Sequence, residues 1–144
     1  MVEAATIQLI RITIANLHFT ARLEHSLAPM TCRAFCAVLP FSAKLLQARW
    51  SGEAAWVPLA DFDLRVGQES ATGSPEVGDI LFHPADHSEC EILIPYGKSA
   101  FRSKHGGLAG NHFLTIVEGK QQLAKVGELV LWHGSQDITF SQIR

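Results

Sequence analysis

The chain has 144 residues, of which 47% are hydrophobic and 18% are charged, and its formal net charge is −2. This length predicts a single domain over residues 1–144, and the composition excludes a disordered chain. There is no long basic run and no apolar stretch that could cross a bilayer, so we expect neither a nucleic-acid partner nor a membrane.

The cysteines and the N-terminal sequence indicate the cellular compartment of the protein. Cys32, Cys36 and Cys90 are an odd number without repeated spacing, which favours a reducing environment. The first residues lack a basic leader followed by an unbroken apolar block, so no secretory signal is predicted. We therefore expect a cytoplasmic protein.

The N-terminal part predicts a β-hairpin. Ile10, Ile12 and Ile14 alternate with polar residues, which is typical of a half-buried strand. Ala15-Asn16 marks a turn, because Asn tolerates left-handed backbone angles. A returning strand is predicted from His18 to Leu23.

A short amphipathic helix follows the hairpin. Pro29 fits a first helical position, where no backbone donor is needed, and Pro40 ends the helix. The apolar residues of one face recur at helical spacing: Cys32, Phe35, Cys36 and Leu39. Cysteines on such a face are predicted to be core residues rather than ligands.

The rest of the chain is predicted to be mainly β. The expected strands are Lys44 to Trp50, Ala54 to Leu59, Ile80 to Phe82, Glu89 to Ile94, His112 to Val117, Leu129 to Trp132 and Ile138 to Phe140. Residues 61–76 and 104–111 are predicted to be loops, and residues 120–126 a short helix. About eight short strands with regular turn signals predict a closed eight-stranded antiparallel barrel capped by two short helices.

The segment L-L-Q-A-R-W-S-G-E-A-A-W-V-P, residues 45–58, is the best candidate for a pocket wall. Arg49 and Glu53 are charged and costly to bury, whereas Trp50 and Trp56 are unfavourable in water. Arg49 and Glu53 form either a ligand clamp or a cross-strand ion pair. The two tryptophans either stack on a ligand or pack in a core or an interface.

Other polar residues are weaker candidates. Asn111 and His112 end a glycine-rich loop and begin a strand, where His112 would serve as an acid or base, or both would be structural. Tyr96 would either supply its hydroxyl to the pocket or simply pack against other side chains. Glu89 and Glu91 share a strand face, either as paired carboxylates of a pocket or, as we expect, at a solvated edge.

Metal and cofactor sites are not expected. His83, Asp86, His87 and Glu89 have the chemistry of metal ligands, but Pro84 predicts a turn rather than a helix that would bring the histidines together. No nucleophile elbow, phosphate-binding glycine loop or dinucleotide fingerprint is present. We predict no metal and no cofactor.

Two segments resemble cyclophilins. The segment A-P-M-T-C-R-A-F after a hairpin resembles their A-P-K-T-x-x-N-F helix, and G-N-H-F-L-T-I, residues 110–116, is similar to their G-S-Q-F-F-I strand. This resemblance places Arg49 where cyclophilins carry a catalytic arginine and matches Phe113 to an aromatic residue of the pocket floor. The F-x-x-Q-x-G pattern that follows the cyclophilin arginine is missing here.

The whole chain resembles more closely a bacterial cyclophilin-like family that is labelled only as a domain of unknown function. The blocks A-R-W-S-G-E-A-x-W, G-D-I-L, E-I-L-x-P-Y-G and A-G-N-H-F-x-T-I-V-E-G carry this match. The resemblance implies an eight-stranded barrel capped by two helices, and it implies no established activity.

Two functions follow from these residues. The first, which we favour, is binding of a small polar or carboxylate-bearing ligand in a pocket lined by Arg49. The alternative is an enzyme, peptidyl-prolyl isomerase-like or of other small-molecule chemistry, that uses Arg49 as electrophile and Glu53 or His112 as acid or base. A homo-oligomer formed through an exposed tryptophan or an edge strand is compatible with either function.

Overall fold

A computed structural model describes residues 7–60, 62–85 and 89–143 of the chain. Its strands are β1 (Leu9–Ile14), β2 (Leu17–Leu23), β3 (Phe41–Gln47), β4 (Gly52–Ala60), β5 (Asp79–His83), β6 (Cys90–Ser99), β7 (Arg102–Ser103), β8 (Gly106–Gly107), β9 (Asn111–Glu118) and β10 (Gln136–Gln142). Its helices are α1 (Pro29–Ala37) and α2 (Leu123–Trp132), and the turn Lys120–Gln122 leads into α2 as a 3₁₀ helix.

Eight of the strands form a closed barrel with antiparallel pairings. The order around the barrel is β1-β10-β3-β4-β6-β5-β9-β2, and the pairing of β2 with β1 completes the circle. Strands β7 and β8 lie outside the barrel as a separate two-stranded ribbon. The predicted fold class, a closed eight-stranded antiparallel barrel with two short helices, is confirmed.

The barrel interior is filled by the inward residues of the strands and by one face of each helix. Ile10, Ile12 and Ile14 are completely buried, as their alternation predicted. Phe35 of α1 packs edge-to-face between Phe113 and Phe140, with ring centroids 5.1 Å apart in both pairs. Burial of large aromatic rings in this geometry is a major source of folding free energy.

Three predicted elements differ most from the structure in extent or type. Strand β3 ends at Gln47, because residues 48–51 form a turn that places Arg49 and Trp50 outside the strand. Leu129 to Trp132 belong to α2 rather than to a strand, since the apolar face of this helix continues through Val130 into the core. Strand β6 continues to Ser99, beyond its predicted end at Ile94.

A second, smaller core lies on the outer face of the barrel. It consists of Ala48, Ala54, Leu81, Leu93 and Phe101, with Trp56 and Leu108 partly buried against it. Strands β4, β5 and β6 supply the floor, and the segment that contains the β7–β8 ribbon folds over it. The candidate site lies at the border of this outer core.

Other sequence predictions concern the environment of the protein. Within residues 7–60, 62–85 and 89–143, no helix is long and apolar enough to cross a membrane. All three cysteines are free thiols, and burial raises the pKa of Cys32 and of Cys90 to about 12. Trp132 is exposed at the end of α2, and the homo-oligomer remains a prediction.

Candidate functional site

The turn between β3 and β4 presents Arg49 and Trp50 on the surface. The backbone N–H of Ala48 donates to the carbonyl of Ala54 at 2.9 Å, which closes the turn. Gly52 has φ +97°, and a Cβ there would lie 3.0 Å from the carbonyl oxygen of Lys98. The Ser-Gly pair is therefore the sequence signal that turns the chain here, since glycine adopts this conformation without strain.

Ser51 connects this turn to the ribbon. Its hydroxyl donates to the carbonyl of Arg102 at 3.2 Å and accepts from the Arg102 backbone N–H at 3.0 Å. The Ser51 carbonyl also accepts from the N–H of Ala100 at 3.0 Å. Arg49 and Arg102, which are far apart in the sequence, are thus carried by two backbone segments that are joined at one residue.

Two of the predicted site residues support the turn without lining the cleft described below. The Tyr96 hydroxyl donates to Gln47 at 2.6 Å, and the Gln47 amide in turn donates to the carbonyls of Ala48 and Gly52. The Glu53 carboxylate accepts the backbone N–H of Lys98 at 2.8 Å. Tyr96 and Glu53 therefore position the backbone around Arg49.

A cleft of about 350 Å³ opens beside the turn, and we call it the Arg49 cleft. Its size lies within the range of small-molecule sites. It is lined by Ala48, Arg49, Trp50, Ser51, Trp56, Glu89, Glu91, Arg102, Ser103, Lys104 and His105. Of the sequence-predicted ligand residues, Arg49, Trp50 and Trp56 are among these.

One wall of the Arg49 cleft combines cations with indole rings. The Arg49 guanidinium carbon lies 5.0 Å from the centre of the Trp50 ring, within cation–π range. Trp50 is 48% exposed, while Trp56 is partly buried against the outer core. Arg102 and Lys104 line the same cleft from the ribbon. This wall suits an anionic group attached to a planar apolar one.

Glu91 is the buried acidic residue of the cleft. Its side chain is on β6, and the residue is only 7% exposed, so the expectation of a solvated edge is wrong for Glu91. Burial, with a further contribution from the charge of Glu89, raises the pKa of the Glu91 carboxyl to about 8. No hydrogen bond or ion pair links it to another side chain in the part of the chain that the structure describes.

His83 lies next to Glu91 on the neighbouring strand. The two residues are direct partners in the antiparallel β5–β6 register, so their side chains are on the same, outer face. His83 is 3% exposed, and its Nδ1 lies 2.8 Å from the carbonyl oxygen of Ala109. A carbonyl only accepts, so Nδ1 carries the proton in the neutral ring and Nε2 offers a lone pair. This buried Nε2 has no partner among the described residues.

Asn111, another predicted site residue, lies away from the Arg49 cleft, and its side-chain polar atoms are hydrogen-bonded within the protein. It is completely buried, and its side-chain oxygen accepts the backbone N–H of Glu69 at 2.8 Å. Its amide donates to the Thr31 hydroxyl at 3.0 Å and to the Gly67 carbonyl at 2.8 Å. Asn111 therefore fixes the long loop to helix α1.

Glu69 completes this cluster at the start of α1. Its carboxylate accepts the backbone N–H groups of Met30 and Thr31 and the Thr31 hydroxyl, at 2.7–2.9 Å. Burial raises the pKa of Glu69, but these hydrogen bonds outweigh it, so the net pKa is below the ordinary value of 4.5. We call Asn111, Thr31, Glu69 and Gly67 the Asn111 cluster. It replaces the missing N-cap side chain of α1.

His112 and Phe113 are also placed away from the cleft. His112 Nε2 lies 2.8 Å from the Thr115 hydroxyl, which donates to Glu24 at 2.6 Å. Phe113 is completely buried in the barrel interior. Of the three catalytic candidates, Arg49, Glu53 and His112, the structure brings only Arg49 to the Arg49 cleft.

Several residues that form the cleft were missed or undervalued from the sequence. Arg102, Lys104 and His105 belong to a ribbon that pairs over only two residues per strand, which is too short to produce a pattern. Glu91 and Glu89 were considered as paired carboxylates but set aside. The signal that identifies Glu91 is its position between the buried residues of β6 rather than at a strand edge.

Of the residues considered as metal ligands, His83 is the last residue of β5 and Glu89 immediately precedes β6. Asp86 and His87 lie outside the described residues. Within residues 7–60, 62–85 and 89–143, no group of three or more His, Cys, Asp or Glu residues has the arrangement of a metal site.

Sequence comparison gives a family match that covers almost the whole chain. The profile of a family described as "Protein of unknown function (DUF3830)" matches residues 10–142. No curated protein matches the sequence.

Structure comparison shows the fold. McbB in complex with tryptophan has a TM-score of 0.70 at 16% identity, over 92% of this chain and 44% of McbB, so the chain spans less than half of that protein. The hypothetical protein AF2241 from Archaeoglobus fulgidus has a TM-score of 0.61 at 18% identity, over 99% and 100% of the two chains. A cyclophilin-type peptidyl-prolyl cis-trans isomerase of Cryptosporidium parvum has a TM-score of 0.59 at 12% identity, over 96% and 99%. The barrel is therefore cyclophilin-like.

Proposed function

We infer that this chain, which belongs to the DUF3830 family of proteins of unknown function, binds a small carboxylate-bearing molecule with a planar group in the Arg49 cleft. A cyclophilin-like fold does not by itself carry an activity, so the support comes from the side chains of this chain. The observation that carries the proposal is the Arg49 guanidinium stacked on Trp50 in a cleft that Arg102 and Lys104 also line.

The charges of the cleft support an anionic ligand. A guanidinium presents a planar fork of N–H donors that matches a carboxylate, and a lysine ammonium adds a compact positive charge. Among the described residues that line the cleft, only Glu89 and Glu91 are acidic, and the pKa of Glu91 near 8 leaves it mostly uncharged at neutral pH. The cleft is thus locally cationic on a protein whose net charge is −2.

The aromatic residues and the size of the cleft support the planar group. Trp50 offers an exposed indole face, and Trp56 provides a partly buried apolar surface. A volume of about 350 Å³ accommodates a small metabolite rather than a polymer. Tryptophan, which McbB holds in its structure, combines a carboxylate with a planar ring and suggests indole compounds as probes for this chain.

Isothermal titration calorimetry with indole-3-propionate tests the proposal. We expect measurable binding to the wild type and a loss of at least about tenfold in affinity for Arg49→Ala, because a hydrogen bond to a charged group contributes about 1.5–3 kcal/mol. Arg49→Lys keeps the charge but loses the fork, so its affinity should fall between those of the other two proteins.

Arg33→Ala is the matched control, since Arg33 is an exposed arginine on α1 and does not line the cleft. Its affinity should equal that of the wild type. Equal binding by Arg49→Ala and the wild type would show that Arg49 does not recognise the carboxylate, and the proposal would be wrong. Circular dichroism of each variant checks that the barrel is intact.

A further inference from the structure

We propose that Glu91 is the subsite of the Arg49 cleft that receives an amino group, so that the ligand class narrows to small aromatic amino acids. This inference rests on the proposed function, because the ligand's carboxylate must occupy the Arg49 side. Glu91 lines the cleft although it is 93% removed from solvent, and no described side chain donates a hydrogen bond to it. A buried carboxylate without a donor is costly, and a ligand donor would relieve that cost.

His83 makes the shortage of donors greater. It faces the same side of the sheet as Glu91 from the adjacent position of β5, and its Nε2 presents a lone pair because Nδ1–H is taken by the Ala109 carbonyl. With its Nδ1–H bonded to Ala109, the neutral imidazole has no N–H left to donate to Glu91. Once Glu91 is ionised, two neighbouring buried acceptors lack a donor among the described residues, which favours a ligand group with several N–H donors.

A primary ammonium is such a group. It carries three N–H donors and no acceptor, and it forms short charge-assisted hydrogen bonds to carboxylates. An α-amino acid would then be held at both ends, with its carboxylate at Arg49 and its ammonium at Glu91, and its ring would lie against Trp50 or Trp56. Recognition of two opposite charges on one ligand also explains why a cationic cleft retains a buried acid.

The charged groups that face Glu91 are compatible with this role. Glu89 lies immediately before β6, β5 contributes His83, and the β4 partner in the register, Pro58, is uncharged. The turn contributes Arg49, and the ribbon contributes a second set of lining residues: Arg102, Lys104 and His105. No cation of the described chain forms an ion pair with Glu91.

Binding of an ammonium should displace a proton from the protein. With a pKa of about 8, the Glu91 carboxyl is mostly protonated at neutral pH and must ionise before it accepts an ammonium. The affinity for an amino acid should therefore rise with pH up to about pH 8, by at most about tenfold per pH unit. A carboxylate ligand without an amino group should lack this rise.

The test compares L-tryptophan with indole-3-propionate, which differ only in the amino group, by titration calorimetry. At about pH 8 the wild type should bind L-tryptophan at least about tenfold more tightly, and Glu91→Gln should bind the two compounds about equally. In buffers of different ionisation enthalpy near pH 7, the wild type should release up to about one proton per bound L-tryptophan, and Glu91→Gln none. Glu118→Gln, an exposed glutamate at the end of β9, is the matched control and should behave as the wild type.

The outcomes separate this inference from the proposed function. If indole-3-propionate binds through Arg49 but L-tryptophan gains nothing, or if Glu91→Gln keeps the preference for L-tryptophan, the amino-group subsite is wrong and the carboxylate site stands. Tighter binding of indole-3-propionate with falling pH would instead identify protonated Glu91 as a donor to the anion, which also overturns the inference. Absence of binding by either compound overturns both.

Discussion

The Asn111 cluster and the Arg49 cleft are two places where the barrel buries polar side chains, and they differ in whether those side chains are satisfied. Around Asn111, both ends of the amide have partners, and Glu69 accepts three hydrogen bonds. At the Arg49 cleft, no described side chain donates a hydrogen bond to Glu91, and beside the cleft the Nε2 of His83 has no partner among the described residues. Burial alone therefore does not distinguish the two places, whereas the number of hydrogen bonds that the protein supplies does.

Glu69, which is half-buried, and Glu91, which is buried, differ in the same way in their pKa values. For Glu69, hydrogen bonds from Thr31 and from backbone N–H groups outweigh burial and lower the pKa, whereas for Glu91 burial and the charge of Glu89 raise it. The environment of Glu69 stabilises its ionised form. The environment of Glu91 disfavours the ionised form until a ligand brings a positive charge. The three predictions that follow separate these environments, from the largest expected effect to the smallest.

Asn111→Ala should lower the free energy of unfolding by about 3 kcal/mol, because it removes the buried hydrogen bond to Thr31 and leaves the part-buried backbone N–H of Glu69 and carbonyl of Gly67 without their partners. Urea denaturation measures the loss. Binding of indole-3-propionate at a temperature where the variant is folded should match the wild type, since Asn111 does not line the cleft.

Asn16→Ala is the matched control for this variant. Asn16 lies in the exposed turn between β1 and β2, and its replacement should change the free energy of unfolding by less than about 0.5 kcal/mol. If Asn111→Ala is as stable as Asn16→Ala, the Asn111 cluster does not hold the long loop. If it also abolishes ligand binding without unfolding, the two regions are not independent.

Glu91→Gln should instead raise the free energy of unfolding near pH 8. The folded-state pKa of Glu91, about 8, is above its ordinary value of 4.5, so the folded protein holds a proton that the unfolded chain has already lost over this interval. The stability of the wild type should therefore fall as pH rises from about 5 to about 8. The stability of Glu91→Gln should not decrease in this way. At pH 8 this variant should be more stable than the wild type by about 2 kcal/mol, because water at the cleft mouth limits the gain.

Urea denaturation of the two proteins across this interval measures the difference, and Glu118→Gln should follow the wild type at each pH. Parallel curves for the wild type and Glu91→Gln would mean that Glu91 ionises as an ordinary carboxyl. The chemical basis for a buried, uncompensated acid in the cleft would then be lost.

Glu69→Gln should cost about 1 kcal/mol at neutral pH, the usual effect of weakening a helix cap. Because the folded-state pKa of Glu69 is below 4.5, its contribution is present above that value and disappears as pH falls through the lowered pKa. The difference between the wild type and Glu69→Gln, measured by urea denaturation, should therefore vanish in acid. A constant difference down to low pH would show that the carboxylate charge has no part in capping α1.

The barrel could be predicted from the sequence because its main signals are local. Alternation in Ile10, Ile12 and Ile14, and the helical spacing of Cys32 and Phe35, reflect burial of one face of an element, and the structure confirms both. Leu129 to Trp132 was mistaken for a strand because a short apolar run has no period of its own.

The candidate site was predicted only in part, because it depends on contacts between distant segments. The composition around Arg49 indicated a pocket wall, but its opposite wall comes from the ribbon more than fifty residues later, through the hydrogen bonds between Ser51 and Arg102. Asn111 and Tyr96 were singled out for their chemistry, and nothing in the sequence shows that their polar atoms are already used within the fold.

The bonds that Ser51 makes to Ala100 and Arg102 have a consequence for how fast molecules enter and leave. These hydrogen bonds join the two sides of the cleft directly, so we expect ligand binding to cost little conformational entropy of the backbone. The association rate constants of chemically similar ligands should then be nearly the same. Selectivity would instead arise from residence time, since each additional interaction slows departure from a cavity that is already shaped.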